Sequence, residues 1–489
     1  MQRDCILAID QGTTSSRCLV VGADGRVLAE QKCEFAQHYP RPGWVEHDLD
    51  DIWRSVVMVV SGAMTAVDGG WRRIAAIGIT NQRETVGIWD RTSAAPVAPA
   101  IVWQCRRTAR ACDGLREHSA ERIHRLTGLT VDPYFSGPKL AWLLDNTEGL
   151  RAGIDRLAAG TIDAWLVFRL TGKHCTDYTN ASRTMLLDID RRQWSGELAD
   201  LLGVPLDLLP EVLPSGAEFG ITSGGDGLPK GIPVTAVMGD QQAALFGQGC
   251  HGPGKAKNTY GTGCFLLANT GADRVDSGAG LLTTLACDER GNACYALEGS
   301  VFIAGAVVQW LRDGLGIIDR SEQVEALART VPDTAGVHLV PAFVGLGAPY
   351  WDADARGAIT GLTRGATRGH IARAALEAIA HQSADVIDVM RAEGAQIEQL
   401  RVDGGASGND LLMQMQADLA NVTVLRPANA EMTALGAAYL AGQGIGLWNR
   451  PWDGQQGAQT DLFRPDADAE RRKERRRTWR EAVARVRSS

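Results

Sequence analysis

Three short polar motifs carry side chains whose chemistry suits the transfer of a phosphoryl group. Residues 239–242 read Gly-Asp-Gln-Gln, and residues 10–14 read Asp-Gln-Gly-Thr-Thr. Between them, Arg83 and Glu84 follow a run that ends like a β-strand. Asp240 offers a carboxylate base, the pair formed by Arg83 and Glu84 can hold a polyol, and the early motif can bind phosphate oxygens. Together these residue types predict a phosphoryl-transfer enzyme.

The early motif is predicted to be a tight turn between two strands. Apolar residues fill positions 5–9 and resume at 18–21, on either side of the polar motif. Gly12 lets a ligand approach the backbone, and the hydroxyl groups that follow it suit phosphate oxygens. Asp10 is a candidate for holding Mg²⁺, through water, because this ion gives up its water reluctantly. Taken alone, the segment is equally compatible with an ordinary hairpin turn.

The elements that must position these motifs alternate between strands and helices, which predicts the α/β class. The apolar spacing predicts helices over residues 51–67, 300–315, 371–390 and 410–419, and strands over 74–80, 234–238 and 400–402. The strand–turn–strand opening recurs at residues 258–268, and two further strands are expected at 281–287 and 293–297. This echo predicts an internal duplication, with the joint between the halves in residues 247–257.

Composition indicates a two-domain enzyme of the cytoplasm. The chain has 489 residues, more than a single core usually supports, and 45% of them are hydrophobic. No apolar run has membrane-spanning length, and the N-terminal apolar run is too short for a signal peptide. A net charge of −8 argues against binding nucleic acid as the main function. The ten cysteines form no Cys-x-x-Cys pair, so free or buried thiols are expected.

The end of the chain is locally basic. Residues 471–487 are rich in arginine, with Trp479 and Val483 at helical spacing. We expect a surface helix with a solvated cationic face, although an anionic partner or a membrane surface would also suit this charge.

One apparent nucleotide motif is excluded. Residues 249–255 match the pattern Gly-x-x-x-x-Gly-Lys, but Ala256 stands where Mg²⁺ needs a hydroxyl group. Pro253 would also disturb a loop that opens a helix.

The motifs resemble, in order and over nearly the whole chain, those of the FGGY family of carbohydrate kinases, which shares the ATPase fold of actin and Hsp70. The segments that carry the resemblance are residues 10–17, 42–48, 81–85, 103–107, 132–136, 239–248, 260–265 and 403–406, together with the two longer family signatures at 134–146 and 357–377. The resemblance implies an α/β fold of two duplicated ribonuclease H-like (actin-like ATPase) domains flanking a central cleft. Residues 1–249 would hold the acceptor site and the first phosphate loop, and residues 250–489 the adenine nucleotide.

Within the family, the chain resembles the members that phosphorylate glycerol with ATP and Mg²⁺. This resemblance implies that Asp240 is the general base and that Asp10 serves the metal. It implies hydrogen bonds to the acceptor from Arg83, Glu84, Tyr134, Asp240 and Gln241, carbon contacts from Trp103 and Phe265, and nucleotide contacts from Thr13, Thr14, Ser15, Arg17, Thr262, Gly305, Gln309, Gly405 and Asn409. A homodimer or homotetramer without membrane insertion is also implied.

Several alternatives remain open at this point. Asp240 could merely cap a helix that starts near Gln241, and Arg83 with Glu84 could be a surface ion pair of little energetic value. The acceptor could be a pentulose or gluconate, as in other members of the family. A non-enzymatic, ATP-switched binding module of the Hsp70 type would lack a base and an acceptor pocket.

Regulation is expected to differ from that of some bacterial relatives. In those relatives, an arginine beside an Ile-Pro pair grips fructose 1,6-bisphosphate, and Gly231 stands at that place here. Lys230 offers a charge without a planar fork, and Asp226 would repel a phosphate. Residues 218–220 also lack the histidine that phosphotransferase proteins modify in some Gram-positive relatives. We expect an enzyme that is insensitive to both controls.

Overall fold

The computed structural model of the protein describes residues 3–429, 431–449 and 460–488. The described residues form two compact units. The first unit contains residues 3–251, 283–295 and 432–449, and the second contains the remainder. The boundary expected between residues 249 and 250 stays a prediction.

Strands and helices alternate along the chain. The strands are β1 (Cys5–Gln11), β2 (Ser15–Gly22), β3 (Val27–Glu34), β4 (Glu46–His47), β5 (Ile74–Asn81), β6 (Val86–Asp90), β7 (Ala100–Ile101), β8 (Leu157–Thr161), β9 (Cys175–Asp177), β10 (Leu187–Asp188), β11 (Gln193–Trp194), β12 (Glu211–Leu213), β13 (Gly220–Gly225), β14 (Leu228–Gly239), β15 (Ala256–Tyr260), β16 (Cys264–Gly271), β17 (Leu282–Cys287), β18 (Ala293–Val301), β19 (His338–Val340), β20 (Ala358–Thr360), β21 (Gln399–Asp403), β22 (Thr423–Pro427) and β23 (Thr460–Phe463).

The helices are α1 (Leu49–Thr65), α2 (Ala109–Thr127), α3 (Ser136–Asn146), α4 (Ile162–Thr171), α5 (Tyr178–Ala181), α6 (Gly196–Leu202), α7 (Asp240–Gly247), α8 (Gly305–Asp313), α9 (Gln323–Ala328), α10 (Arg368–Ala392), α11 (Asp410–Ala420), α12 (Met432–Gly444) and α13 (Ala469–Ala484). Short 3₁₀ turns cover Gly70–Arg73, Arg151–Arg156, Leu206–Leu208 and Gly405–Gly408.

The main sheet of the first unit brings the three polar motifs to one edge. Its strand order is β13-β14-β5-β1-β2-β3, and β5 runs parallel to both β1 and β14. The register pairs Asn81 with Gln11 on one side and with Gly239 on the other. The carboxyl ends of three parallel strands therefore lie side by side, where ligands bind in α/β sheets. Each of the three motifs follows one of these strand ends.

Both faces of this sheet are covered, which explains the nearly continuous apolar run in β1. Leu7 and Ile9 lie in the core shared with α1, whereas Ile6 and Ala8 lie in the core shared with α12. Successive side chains of a strand point to opposite faces, so one short run serves both cores. Gly78 of β5 is required for close contact, because a Cβ atom there would collide with the backbone of α12 at Ala437.

The second unit repeats the same strand pattern. Its sheet includes the order β16-β15-β21-β22-β23. β15 is antiparallel to β16 and parallel to β21, as β1 is antiparallel to β2 and parallel to β5. The α/β class and the predicted internal duplication are thus confirmed. Helix α10 lies at the centre of this unit's apolar core, where Ile379 and Ile387 join Leu400 and Val402.

Two predictions about the elements need correction. The helix expected from residue 300 begins at Gly305, because residues 300–301 complete β18 in fully buried positions. The basic C-terminal segment does form a helix, α13, but its cationic face is not simply solvated, since Arg476 is buried. All ten cysteines are free and nine are buried, as expected. Within the described ranges, no helix combines the length and the apolar character needed to cross a membrane.

Candidate active site

The proposed base, Asp240, is the first residue of helix α7. Gly239, and not Asp240, occupies the N-cap position, and its N–H donates to Thr179 Oγ1 at 2.8 Å. The Asp240 side chain is 30% exposed and accepts a hydrogen bond from the Gln241 N–H at 2.7 Å. Asp240 thus lies inside the first turn rather than at the N-cap, and its role as the base stays a prediction. The helix N-terminus carries positive partial charge, which favours a carboxylate and an incoming phosphoryl group at this position.

Arg83 and Glu84 are buried beside Asp240, so the alternative of a surface ion pair is wrong. Their side chains are 1% and 2% exposed. Arg83 Nε lies 3.3 Å from Asp240 Oδ1 and 3.9 Å from Glu84 Oε1. Arg83 Nη1 also donates to Gln242 Oε1 at 3.3 Å. Gly239 makes room for this arginine, because a Cβ atom there would lie 2.7 Å from Arg83 Cδ.

Glu84 is fixed by both its backbone and its carboxylate. Its φ is 61°, in the left-handed region, and its carbonyl accepts hydrogen bonds from Ser136 Oγ at 3.1 Å and Lys139 Nζ at 3.3 Å. Its carboxylate accepts from Arg183 Nε at 2.6 Å. A backbone conformation of this kind costs roughly 1 to 3 kcal/mol and persists only where the surroundings enforce it. These contacts hold the carboxylate in one direction.

Sequence reasoning missed Arg183 and Lys139. Arg183 lies two residues after the end of α5 and 99 residues from its partner Glu84. Lys139, in α3, is fully buried, and its burial lowers the pKa of the amine to about 7. Its Nζ also donates to the Tyr134 carbonyl. A basic residue inside a helical pattern gives no signal of such a role, because the partners come from distant segments.

Two aromatic residues of the predicted acceptor site lie beside this charged cluster. The rings of Trp103 and Tyr134 meet edge to face, with centroids 5.7 Å apart. The Arg183 guanidinium lies over the Tyr134 ring at 5.6 Å. The structure therefore brings Arg83, Glu84, Trp103, Tyr134 and Asp240 together, with the buried Gln241 next to the base. Phe265 belongs to β16 in the second unit.

The segment predicted to bind phosphate, called here the phosphate loop, is a tight turn between β1 and β2, as expected. The Gly12 N–H donates to the Ser15 carbonyl at 2.9 Å. Thr13 and Ser15 are half-buried and Thr14 is exposed. Arg17, on β2, lies 3.6 Å from Glu30 across the strand pair. Their hydroxyl and guanidinium groups are therefore all in the first unit, at the edge where β1 ends.

Asp10 suits a divalent cation. Burial raises the pKa of its carboxyl to about 6, the Arg17 charge opposes that shift, and the negative charge of Asp240 adds to it. Two interacting carboxylates at the end of a phosphate loop fit Mg²⁺, which is usually bound by one or two carboxylates, substrate phosphates and water. Within the described residues, no group of three or more His, Cys, Asp or Glu side chains could hold a metal alone. The phosphates and water would have to complete the shell.

The predicted nucleotide residues of the second unit form two neighbouring turns. Thr262 lies between β15 and β16, and its carbonyl accepts from the Ala304 N–H at 2.8 Å. Gly305, at the start of α8, lies so close to Gly261 that a Cβ atom would be 2.6 Å from the Gly261 carbonyl oxygen. Gln309 follows one turn later in α8 and is exposed. These three residues therefore share one corner of the second unit.

Gly405 begins the 3₁₀ turn after β21, and Asn409 directly follows that turn. Gly404, with a φ of 86°, brings this turn against Tyr260 of β15, and a Cβ atom at Gly404 would be 2.6 Å from the Tyr260 carbonyl oxygen. A Cβ atom at Gly405 would meet nothing within 4 Å, so this position is open to a ligand. The Asn409 side chain accepts from the Leu412 N–H at 2.8 Å and caps α11. A role for Asn409 in nucleotide binding remains a prediction.

Comparison with known proteins agrees with this geometry. Residues 5–247 match the N-terminal domain of the FGGY family of carbohydrate kinases, and residues 256–444 match its C-terminal domain. A glycerol kinase from Deinococcus radiodurans is 53% identical over 488 residues, which is 99% of this chain and 97% of the relative. The crystal structure of Plasmodium falciparum glycerol kinase with ADP has a TM-score of 0.92 at 35% identity, covering 99% of this chain and 98% of that one. A gluconate kinase from Lactobacillus acidophilus, at 23% identity, covers 99% of this chain and 98% of its own, and its TM-score of 0.90 shows the shared fold alone.

Two family models that together span most of the chain, and a relative above 50% identity over nearly all of it, establish the family. The chain therefore belongs to the FGGY family of carbohydrate kinases.

Proposed function

We propose that this protein transfers the γ-phosphoryl group of ATP to glycerol and forms sn-glycerol 3-phosphate. The observation that carries the proposal is the position of Asp240. Its partly exposed carboxylate begins α7 and lies 3.3 Å from the buried guanidinium of Arg83, with Glu84 on the other side of that guanidinium. Relatives that are more than 50% identical over nearly the whole chain are glycerol kinases, which supports this acceptor.

In the proposed reaction, a primary hydroxyl group of glycerol attacks the γ-phosphorus. The bond between that phosphorus and the β–γ bridging oxygen breaks, and ADP leaves. Asp240 accepts the hydroxyl proton, because a neutral alcohol is a poor nucleophile. The N-terminus of α7 favours the negative charge of the phosphoryl group near the base. The whole step needs no covalent intermediate with the protein.

Recognition of glycerol should rest on directed hydrogen bonds, because the molecule is small and polar. Arg83, Glu84, Tyr134 and Gln241 supply donors and acceptors for the hydroxyl groups. Trp103, and Phe265 of the second unit, supply apolar surface for the carbon chain. The fixed carboxylate of Glu84 favours an acceptor whose hydroxyl groups match one arrangement.

The nucleotide is proposed to contact Thr13, Thr14, Ser15 and Arg17 of the first unit, and Thr262, Gly305, Gln309, Gly405 and Asn409 of the second. Asp10 would hold Mg²⁺, with the charge of Asp240 close by. When bound, Mg²⁺ neutralises phosphate charge as the transfer proceeds. A cytoplasmic location and a homodimer or homotetramer are further proposals that rest on the resemblance to the family.

The test measures the rate of ADP release from MgATP with each of four acceptors: glycerol, dihydroxyacetone, D-xylulose and gluconate. We expect the highest kcat/KM for glycerol and a product that is sn-glycerol 3-phosphate. A higher kcat/KM for D-xylulose or for gluconate than for glycerol would instead assign that compound as the acceptor. A rate of ATP hydrolysis that is the same with and without each acceptor would favour an ATP-switched binding module.

Arg83→Ala provides a second test of the acceptor assignment. The glycerol KM should rise at least tenfold while the ATP KM changes less than twofold, because Arg83 lies in the acceptor cluster. Arg54→Ala is the matched control, since Arg54 is exposed and pairs with Asp51 within α1. Equal loss of both affinities in Arg83→Ala would indicate a folding defect.

A further inference from the structure

A closed ring of hydrogen bonds links the phosphate loop to the acceptor cluster inside the first unit. The ring, called here the polar ring, consists of Thr13, Gln37, His47, Gln82, Thr85 and Trp103. Three of its members, His47, Gln82 and Thr85, are at most 1% exposed. Buried polar networks of this kind hold their members in one arrangement when each is satisfied.

One arc of the polar ring supports the backbone of the phosphate loop. Gln37 Nε2 donates to the Thr13 carbonyl at 3.1 Å. Gln82 Nε2 shares its two hydrogens among the Gly12 carbonyl at 3.2 Å, Gln11 Oε1 at 3.0 Å and the ring of His47. The His47 ring lies between these two amides, with Nε2 2.8 Å from Gln37 Oε1 and Nδ1 3.4 Å from Gln82 Nε2. Burial keeps His47 neutral by lowering its pKa to about 4. A neutral imidazole can donate to one amide and accept from the other.

The other arc runs through the acceptor side. Trp103 Nε1 donates to Thr13 Oγ1 at 2.9 Å, while its ring meets the ring of Tyr134. The Trp103 backbone N–H donates to Thr85 Oγ1 at 3.2 Å, and that hydroxyl donates to Gln82 Oε1 at 2.9 Å. The indole therefore contacts the acceptor cluster with its ring and the phosphate loop with its N–H.

This geometry fixes the role of the Thr13 hydroxyl group. Because its oxygen accepts the indole N–H, its own proton remains available for a different acceptor. A phosphate oxygen held by the loop is such an acceptor. A hydrogen bond in that direction would strengthen the one from Trp103, since hydrogen bonds in a chain polarise one another.

We propose that Trp103 is a positioning residue that couples acceptor binding to nucleotide binding through its hydrogen bond to Thr13. Binding of the nucleotide phosphates orders Thr13, Thr13 orders the indole, and the indole completes the wall against which glycerol binds. The same coupling acts in the opposite direction, so each ligand tightens the other by an equal factor. This inference rests on the proposed function, because it assumes glycerol and ATP as the two ligands.

The test measures the glycerol Kd by calorimetry, without nucleotide and with saturating Mg²⁺ and a non-hydrolysable ATP analogue. The coupling factor is the ratio of the two values. For the wild-type protein we expect a factor of at least about five, the low end of common coupling factors. Trp103→Phe keeps the aromatic ring but removes the N–H, so its factor should fall to within twofold of one. The same factor in Trp103→Phe as in the wild-type protein would overturn the proposal.

Thr13 offers a matched pair of variants. Thr13→Ser keeps the hydroxyl group and should retain the coupling, whereas Thr13→Val keeps the shape and should lose it. The double variant Trp103→Phe with Thr13→Val should show no further loss, because both changes remove the same hydrogen bond. Retained coupling in Thr13→Val would overturn the proposal, and this pair decides alone if Trp103→Phe fails to fold.

The two proposals fail in different ways. A wild-type protein that phosphorylates glycerol but has a coupling factor of one overturns the coupling and leaves the proposed function intact. A wild-type protein that neither binds nor phosphorylates glycerol overturns both.

Discussion

Buried ionisable side chains of the first unit are held by polar partners rather than by solvent. Asp163, in α4, is fully buried, and its Oδ2 accepts a hydrogen bond from Thr176 Oγ1 at 2.6 Å. Burial, together with the nearby charge of Asp177, raises the pKa of Asp163 from 3.8 to about 7. Because the folded state binds this proton more tightly than the unfolded state does, Asp163 destabilises the fold increasingly as pH rises from about 4 to about 7.

Asp163→Asn should therefore change the pH dependence of stability. The variant cannot ionise, so the melting temperature of the wild-type protein minus that of the variant should fall between about pH 4 and about pH 7. The shift in pKa corresponds to a change on the order of 4 kcal/mol across the whole window. Asp200→Asn is a control, because Asp200 is exposed in the same unit. A difference that stays constant with pH would show that Asp163 is ionised throughout.

The sequence alone predicts the candidate reactive residues but not all the side chains that contact them. Asp240, Arg83 and Glu84 stand at the ends of predicted strands, and the parallel register brings those ends together. Arg183 and His47 were not predicted, because their roles arise from contacts across 99 and 35 residues. No local pattern records such contacts. Only the folded chain places a buried imidazole between two amides.

At the scale of elements, helix α13 is attached to α10 by a buried ion pair. Arg476 Nη2 lies 2.6 Å from Asp385 Oδ1 and 2.8 Å from Asp388 Oδ2. Trp479 Nε1 donates to Asp385 Oδ2 at 2.8 Å, and the Trp479 ring stacks on His381 with the centroids 5.0 Å apart. The basic composition had suggested a solvated face, because composition does not distinguish the one arginine that points inward.

Arg476→Met should destabilise the second unit by about 3 to 5 kcal/mol, because it leaves the buried Asp385 without its cation. Arg477→Met is the matched control in the same helix. Arg477 is exposed and pairs with Glu474 and Glu481 on the surface, so its loss should cost less than about 1 kcal/mol. Urea unfolding measures both values. Equal and small effects would mean that the buried pair contributes little to the attachment of α13.

The strand pattern was easier to predict than the element ends. Two similar polar turns, each flanked by apolar runs, predict the same order of antiparallel and parallel strand pairs in both units. The start of α8 was placed five residues too early, because the apolar spacing of residues 300–304 suits a strand end as well as a helix. Tertiary pairing in the sheet decides between them.

At the scale of the whole molecule, the expected insensitivity to fructose 1,6-bisphosphate concerns the hairpin between β13 and β14. Asp226, with a φ of 51°, accepts hydrogen bonds from Trp53 Nε1 at 2.7 Å and Arg169 Nη2 at 3.1 Å. Its carboxylate thus already pairs with Arg169, a cation of the neighbouring helix α4. Gly231 has a φ of 90°, a backbone conformation that an arginine rarely adopts. Both features disfavour a phosphate effector.

Fructose 1,6-bisphosphate should therefore leave the rate of glycerol phosphorylation unchanged up to several millimolar. The measurement is a titration at subsaturating glycerol, with the molecular mass in solution followed by light scattering. Inhibition below 1 mM would contradict the prediction, and its loss in Lys230→Ala would then identify Lys230 as the replacement for the missing arginine.

The central assignment in this site is Asp240 as the general base for glycerol. The decisive measurement is kcat for glycerol with MgATP in Asp240→Asn, together with the glycerol Kd of the same variant. Asparagine keeps the shape and a hydrogen bond but cannot accept the proton, so kcat should fall by about 10²- to 10⁴-fold while the glycerol Kd changes little. A kcat close to that of the wild-type protein would contradict the assignment of the base and, with it, the mechanism proposed for this site.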